Sequence, residues 1–545
     1  MVKNNVIFIL ISIILGTCFF SSLGILWPLA ETDLNCSSTK IRSKTDAFLK
    51  EKGFDLKGYQ VVSYLDVDES ALDYLERYFK LSGVQKWIKN GLPLVYYNII
   101  YKKQGEPRYY FLVSHPEKGI LSWKRSFEED DSGKRLKVDV ARELILKSLA
   151  SEVDFSNYVE KGVNSRDLPE RRDHVFIYEH IFMEKPEIKV RIVISVRGDI
   201  IAGVAQSFVI PASEQRFARK KSAPVEFLFA SGVGLMSIGA LIALIIFIIH
   251  LQNKNIKLYR VGVLALVIYG LSFINNFLQV SRIFRNWDPL WIQWMATFRY
   301  LLYRSVSEMW IIVILFVFIA AGDALDRKTL LKKGESLWLI LKGKIISFEI
   351  GRSSAWGFLT GCICGGVMTL SVILLKKYFG SYTSVQPRGF FFYALNSAMP
   401  SLSTVLFFLK IAMIEELGYR YFGGLYLYDL TKKKWVAILI PAVIYGLGHT
   451  TFTFLPPAEP FWARALVLTL VGCVWGWAFF KFDALTVIFS HLTADLFIFN
   501  WPRLASSNPT LVTYAVITVS IPLIPFILSL LCGKFRTSKI YHEET

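Results

Sequence analysis

The stretch LSTVLFFLKIAMIEELGYRYFGGLYL, residues 402–427, is apolar enough to enter a membrane, yet it carries two adjacent carboxylates. Glu415 and Glu416 stand side by side, and Arg420 follows one helical turn later. A charged side chain near the centre of a bilayer costs several kcal/mol on most scales. Charges kept at that cost indicate that the chain is a membrane protein with a function inside the bilayer.

Two later apolar segments each carry a histidine. The first reads Tyr445-Gly446-Leu447-Gly448-His449 and the second His491-Leu492-Thr493-Ala494-Asp495. Tyr445 and His449, like His491 and Asp495, are four residues apart and therefore share one face of a helix. Three apolar segments thus each present polar groups along one stripe, and acids grouped with imidazoles indicate proton chemistry.

Helical spacing gives the two glutamates different surroundings. Adjacent residues on a helix point about 100° apart, so Glu415 and Glu416 do not face one site equally. Arg420 lies four residues after Glu416, on the same face, which predicts a structural ion pair. Glu415 is then expected to lack a charge partner, which suits it to act as a general base.

Composition excludes a single soluble domain. The chain has 545 residues, of which 53% are hydrophobic, and Lys plus Arg (62) exceed Asp plus Glu (44), giving a net charge of +18. In a membrane protein this excess is typical of basic cytoplasmic loops. No nucleic-acid-binding motif is present, so we expect no nucleic-acid partner. The six cysteines form no Cys-x-x-Cys pair, and no disulfide framework is predicted.

The apolar segments predict a polytopic α-helical membrane protein of about ten transmembrane helices, because a span needs about 20 apolar residues. The predicted spans are residues 6–30, 226–251, 261–280, 308–325, 355–375, 403–421, 435–454, 461–480, 483–500 and 511–532. Residues 1–30 are predicted to form an uncleaved anchor, with a signal peptide as the alternative. The loop charges place both termini in the cytoplasm and residues 31–224 on the extracytoplasmic side of the plasma membrane.

Residues 31–224 differ in kind, because they are polar and charged and contain a weak internal repeat. The pattern predicts an N-terminal α+β region of two small modules, about 42–128 and 136–212, each a helix packed on antiparallel strands. This arrangement is similar to that of the PepSY class of extracytoplasmic modules. The remaining predicted parts are membrane helices at 225–380, a catalytic helical core at 381–510, and a last helix with a cytoplasmic tail at 511–545.

Taken in order, the three motifs resemble the CPBP family, which comprises the CAAX prenyl protease 2 type and its bacterial relatives. The family pattern is Glu-Glu-x-x-x-Arg, then Phe-x-x-x-His, then His-x-x-x-Asn or Asp. The chain has Glu415-Glu416-x-x-x-Arg420, Tyr445-x-x-x-His449 and His491-x-x-x-Asp495. The resemblance covers about residues 400–510, and long bacterial members with an extracytoplasmic extension are similar.

The resemblance implies an integral-membrane endopeptidase that hydrolyses a membrane-associated peptide or protein and requires no cofactor. Glu415 and His449 would activate water, and His491 and Asp495 would stabilise the developing oxyanion. Glu416, Arg420 and Tyr445 would support the site.

Two positions depart from the family pattern. Tyr445 replaces the Phe, which adds a hydroxyl group. Asp495 stands where the eukaryotic prenyl proteases have Asn, and an ionised carboxylate would repel an oxyanion. Asp495 is therefore expected either to be protonated or to act by orienting His491.

Other interpretations remain open. The Glu416–Arg420 pair by itself is compatible with a buried ion pair that fixes the helix register. Two histidines and a glutamate also suit a zinc-dependent variant of the same protease, although no His-Glu-x-x-His motif is present. The extracytoplasmic modules are compatible with a non-catalytic scaffold or receptor, and buried acids with a transporter. The expected partners are the lipid bilayer and a membrane-associated substrate.

Overall fold

The structure of the chain is a computed structural model. It describes residues 2–26, 38–68, 71–72, 74–76, 79, 83–86, 94–115, 119–150, 152–181, 189–253, 256–280, 285, 287–381, 396–450 and 460–533. The predicted end of the anchor at residue 30, the first residues of the predicted catalytic core (382–395) and the tail (534–545) lie outside the described residues.

The N-terminal region folds as helices on one antiparallel sheet. Its elements are α2 (Ser38–Glu51), β1 (Gln60–Val67), β2 (Val95–Lys103), β3 (Glu106–His115), β4 (Gly119–Arg125), α3 (Val138–Ser148), β5 (Tyr158–Asp167), β6 (Arg172–Ile181), β7 (Lys189–Arg197) and β8 (Ile200–Val209), and α1 (Val2–Leu26) precedes them. Burial alternates along β7, as in a strand with one face covered. The core against this face takes in α2 through Ile41 and α3 through Ile145.

The predicted internal repeat is present, but the two halves are not separate modules. The sheet has eight strands in the order β1-β2-β3-β4-β8-β7-β6-β5, so each half is a helix followed by a four-stranded meander. The halves are joined where β4 pairs with β8, with Trp123 opposite Val204 and Lys124 opposite Gly203. Strands β1 and β5 were not among the predicted strands, and a likeness to PepSY modules stays a prediction.

The rest of the described chain is almost entirely helical. The helices are α4 (Ala212–Gln252), α5 (Leu258–Leu278), α6 (Gln293–Thr329), α7 (Glu335–Leu341), α8 (Phe348–Phe379), α9 (Pro400–Glu416), α10 (Leu425–Thr431), α11 (Lys434–Gly448), α12 (Ala463–Lys481), α13 (Ala484–Leu504), α14 (Pro509–Ser520) and α15 (Ile524–Leu531). Among the described residues, eight helical segments are long and apolar enough to cross a membrane. They are α1, α4, α5, α6, α8, α12, α13 and the segment Pro509–Leu531, which contains α14 and α15. The chain is therefore a polytopic membrane protein.

Two of the ten predicted spans are not among these eight segments. The predicted span 403–421 is divided, because α9 ends at Glu416 and a π-helical segment, Leu417–Gly424, follows it. The predicted span 435–454 corresponds to α11, which has 15 residues and ends at Gly448. Both irregular places belong to the motifs, and π-helical segments within α-helices occur frequently at functional sites.

Helix α8 brings the third motif into the bundle. A Cβ atom on Gly357 would lie 2.8 Å from the carbonyl oxygen of Thr486, and one on Gly361 would lie 2.8 Å from that of Ser490. Both acceptors belong to α13, so the two glycines let the backbones of α8 and α13 touch. Small residues four apart are the usual means of close helix packing in membranes. This contact fixes the helix that carries His491.

The sheet makes direct contacts with the helical part of the chain, in addition to being connected to it through the chain. The side-chain amide of Asn396, just before α9, accepts a hydrogen bond from the Leu65 nitrogen (2.8 Å) and donates one to the Leu65 oxygen (3.0 Å). Lys102 of β2 donates to the carbonyl oxygen of Trp287 at 2.6 Å. Leu65 also belongs to a small core against which Phe499 at the end of α13 packs.

Candidate active site

The first motif is placed where α9 gives way to the π-helical segment. Proline at position 400 begins α9, as proline often does in the first turn of a helix. Glu415 and Glu416 are the last residues of α9, and Arg420 lies inside the π-helical segment. The two glutamates therefore stand at the point where the regular helical hydrogen bonding changes.

The second motif places an imidazole against Glu415. His449 follows directly after the last residue of α11, and its Nδ1 lies 2.7 Å from the carbonyl oxygen of Tyr445. A carbonyl only accepts hydrogen bonds, so Nδ1 is the donor and Nε2 is directed elsewhere. Nε2 lies 3.4 Å from Oε1 of Glu415. The backbone bond thereby fixes the ring orientation that presents Nε2 to the carboxylate.

The third motif supplies a second imidazole on the other oxygen of Glu415. His491 lies within α13, and its Nδ1 is 2.8 Å from Oε1 of Glu416. Its Nε2 is 3.7 Å from Oε2 of Glu415 and 3.5 Å from Oδ2 of Asp495. Both histidines thus use Nδ1 for an anchoring bond and direct Nε2 at Glu415. The three motifs meet around that one carboxylate.

The ion pair of Arg420 and Glu416 lies on the buried side of the cluster. Arg420 donates to Oε1 of Glu416 at 3.0 Å and to the carbonyl oxygen of Gly472 at 3.3 Å. The predicted ion pair is therefore present, and Glu416 has a second partner in His491. The described cluster thus contains three carboxyl groups, two imidazoles and one guanidinium group.

Aromatic rings enclose the imidazoles. The Trp475 ring stacks on that of His491, with 4.2 Å between centroids and 18° between planes, and its Nε1 donates to Ser490 at 2.9 Å. The Tyr445 ring lies 4.2 Å from that of His449. The guanidinium group of Arg420 lies 4.8 Å from the Tyr445 ring centroid, within the range of a cation–π contact.

The exposed fraction of the side chain divides the seven predicted residues into two groups. The side chains of Glu415, His449 and Asp495 are 19%, 18% and 18% exposed. Those of Glu416, Arg420 and His491 are 0%, 2% and 3% exposed, and Tyr445 is also buried. Glu415, His449 and Asp495 therefore lie on the more exposed side of the cluster, and the other four lie behind them.

One sequence-based expectation about this site is wrong. Glu415 was expected to lack a charge partner, but its carboxylate lies between two imidazoles. The expectation failed because it considered partners on the same helix only. The site also includes three groups that no motif indicated: the Trp475 ring, the Ser490 hydroxyl and the Gly472 carbonyl. Trp475 and Ser490 leave some signal as polar groups in apolar helices, whereas a backbone carbonyl leaves none.

The donor atoms around Glu415 are of types that can bind a metal ion. Two imidazoles and a carboxylate are the donor types of many catalytic zinc sites. Across the described ranges, however, no group of three or more His, Cys, Asp or Glu side chains is arranged to hold a metal ion. The two Nε2 atoms and the Glu415 oxygens pair with one another instead. The zinc-dependent variant of the protease stays a prediction.

The bundle and its acid–imidazole cluster are the features of an enzyme that works within the membrane. Residues 397–497 match the family described as type II CAAX prenyl endopeptidase, Rce1-like. The matched segment contains all three motifs and confirms the predicted resemblance to the CPBP and CAAX protease family. It indicates an intramembrane protease of the CAAX type. No curated protein and no solved structure matches the chain.

Proposed function

We propose that the chain is an integral-membrane endopeptidase in which Glu415 and His449 activate a water molecule. The observation that carries this proposal is the 3.4 Å approach of His449 Nε2 to Glu415 Oε1, on the more exposed side of the cluster. A water molecule bound there donates a proton to this pair as its oxygen attacks the peptide carbonyl. The same proton is then available to the leaving amine.

The remaining residues have supporting parts in the proposed reaction. Glu416 and Arg420 hold the buried end of the cluster, and Glu416 fixes His491. Asp495 is well placed to orient His491, because the two side chains approach to 3.5 Å. The alternative, that His491 and Asp495 stabilise the oxyanion directly, requires the buried Nε2 of His491 to reach the substrate. The low exposure of His491 favours orientation over direct contact.

The substrate is proposed to be a membrane-associated peptide or protein, and the sheet is proposed to take part in its choice. The sheet is docked beside the beginning of α9 through Leu65 and Asn396. An exported or lipid-anchored peptide approaching from that side would meet the sheet first. Replacing residues 38–209 by a short linker should then change which proteins are cleaved. Unchanged substrate choice in that variant would refute this part of the proposal.

The decisive experiment compares membrane proteomes of cells that carry the wild-type chain and Glu415→Gln. Cleavage products near membrane segments should disappear in the variant, and a peptide spanning such a cleavage site provides the assay. We expect Glu415→Gln and His449→Ala to lower its hydrolysis by roughly 100- to 10,000-fold while the protein remains folded and inserted. Glu335→Gln, which changes an exposed glutamate, serves as the matched control. Full hydrolysis by Glu415→Gln would refute the proposal.

Two alternatives are resolved with the same assay. The metal-dependent variant predicts that a chelator abolishes hydrolysis and that zinc restores it, whereas the Glu–His mechanism predicts no effect. The family match covers only residues 397–497, which leaves room for a scaffold or receptor that uses the sheet. A cellular function that survives Glu415→Gln, with no lost cleavage product, would favour that alternative.

A further inference from the structure

His449 lies after the end of a helix, so its position depends on the contacts of the neighbouring residues. His449 follows the end of α11 and is not part of a continuing helix. The bond from its Nδ1 to Tyr445 orients the ring but leaves the backbone of this residue to be fixed by other contacts. The residues on either side of His449 are the ones that contact another helix.

Helix α4 contacts both neighbours of His449. A Cβ atom on Gly232 would lie 2.8 Å from the Cα atom of Gly448 and 2.7 Å from the carbonyl carbon of Leu447, so the two backbones touch. Thr450 is fully buried, and its hydroxyl lies 2.9 Å from the carbonyl oxygen of Leu447 and 3.2 Å from that of Val225, so one hydroxyl bridges α11 and α4. Val225 and Gly232 are seven residues apart, which places them on one face of α4.

The same face of α4 reaches the first motif. Met236 lies one turn beyond Gly232, and its Cε atom would be 3.1 Å from a Cβ atom on Gly418. Gly418 belongs to the π-helical segment that carries Arg420. A single helix thus contacts the chain beside His449 and the segment that follows Glu415. Few residues in the spanning part of α4 are buried, and Gly232 is one of them.

We propose that α4 is a positioning element for the active site, with Gly232 setting the distance between His449 and Glu415. This helix lies outside residues 397–497, the segment matched by the protease family, so the inference concerns a part of the chain that the match does not describe. Two residues separate α4 from β8, the strand whose pairing with β4 joins the two halves of the sheet. The positioning element is therefore a direct continuation of the sheet. The inference rests on the proposed function.

The test uses three glycines of α4 and the peptide assay described above. Gly232→Ala places a methyl group against the backbone at Gly448 and displaces His449. We expect kcat to fall roughly 10- to 100-fold with KM unchanged, because an error of about 1 Å at a reacting group has such an effect. Gly234→Ala and Gly239→Ala are matched controls, because a Cβ atom at either position meets no atom within 4 Å. Both controls should keep kcat within about twofold of the wild type.

A second pair of variants covers the possibility that Gly232→Ala does not fold. Thr450→Val removes the hydroxyl that bridges Leu447 and Val225 and should lower kcat, while Thr450→Ser keeps the hydroxyl and should restore it. The proposal is overturned if Gly232→Ala behaves like Gly234→Ala, if its loss lies in KM, or if Thr450→Val and Thr450→Ser are alike. These failures differ from failure of the proposed function, in which Glu415→Gln itself retains hydrolysis.

Discussion

Glu416 accepts a hydrogen bond from Nδ1 of His491 at 2.8 Å, although the two residues lie 75 positions apart in the chain. The same carboxylate oxygen accepts a bond from Arg420 at 3.0 Å. One buried carboxylate therefore joins the first motif to the third. Its negative charge balances a guanidinium group that has almost no contact with solvent.

Glu416→Gln should be strongly destabilising. The change leaves Arg420 as a buried cation without a carboxylate partner, and breaking a buried ion pair on one side costs about 3–5 kcal/mol. The measurement is thermal or denaturant unfolding of the purified protein in detergent. The control is Glu416→Gln combined with Arg420→Met, which should be less destabilised than Glu416→Gln alone, because the cation is also removed. Purely additive losses would contradict the pairing.

Asp495→Asn and Asp495→Leu should show whether Asp495 acts by orienting His491 or through its own negative charge. Asn keeps an oxygen acceptor beside Nε2 of His491, and this position carries Asn in the eukaryotic proteases that the motifs resemble. We expect Asp495→Asn to retain hydrolysis within about tenfold and Asp495→Leu to lose it roughly 100-fold. The readout is kcat on the peptide substrate, with the folded fraction measured in parallel. Equal inactivity of the two variants would mean that the carboxylate itself is required.

The motifs named residues that the structure brings together, but they did not describe the geometry of the cluster. Helical spacing correctly separated Glu416, the partner of Arg420, from Glu415. It gave Glu415 no partner, because His449 and His491 reach it from other parts of the chain and such contacts depend on tertiary packing. The π-helical segment Leu417–Gly424 was also missed, since hydrophobic periodicity does not distinguish a π-helix from an α-helix over two turns.

For the sheet, too, the sequence predicted features with a local pattern and missed a pairing between distant strands. Alternation and tight links predicted six of the strands, including β7, whose pattern is regular. Strand β1 lacks such alternation, since its burial changes little along most of its length. The pairing of β4 with β8 joins strands about 80 residues apart, and no local pattern specifies it. This pairing is what turns two predicted modules into one sheet.

Acid should weaken the second half of the sheet through Glu160. The Arg142 side chain donates to both oxygens of Glu160 at 3.0 Å, and these bonds lower the pKa of Glu160 from its ordinary value of 4.5. A carboxylate with a lowered pKa in the folded state stabilises the fold above its unfolded pKa. That contribution is lost as the pH falls through the folded pKa. Local opening of β5 and β6 should therefore increase on acidification below about pH 4.5.

Arg142→Met should remove this part of the pH dependence. Hydrogen exchange of the β5 and β6 amides in the full-length protein, corrected for the intrinsic effect of pH, measures it. The variant should open more readily than the wild type near neutral pH, and the difference should shrink in acid. Lys161→Met removes the same charge from an exposed position on β5 and should leave the wild-type profile unchanged. Equal profiles for Arg142→Met and the wild type would contradict the role of the pair.

Gly203→Ala tests whether the two halves of the sheet depend on each other. Gly203 lies opposite Lys124 in the pairing of β8 with β4, and a Cβ atom there would lie 2.6 Å from the carbonyl oxygen of Trp123. The added methyl group forces the strands apart, at a cost of about 1–3 kcal/mol. Because β4 belongs to the first half and β8 to the second, hydrogen exchange should accelerate on both sides of the joint. Gly162→Ala, on β5, meets no atom within 4 Å and is the matched control. If only β8 exchanged faster, the halves would behave as independent modules, which would contradict the single cooperative sheet.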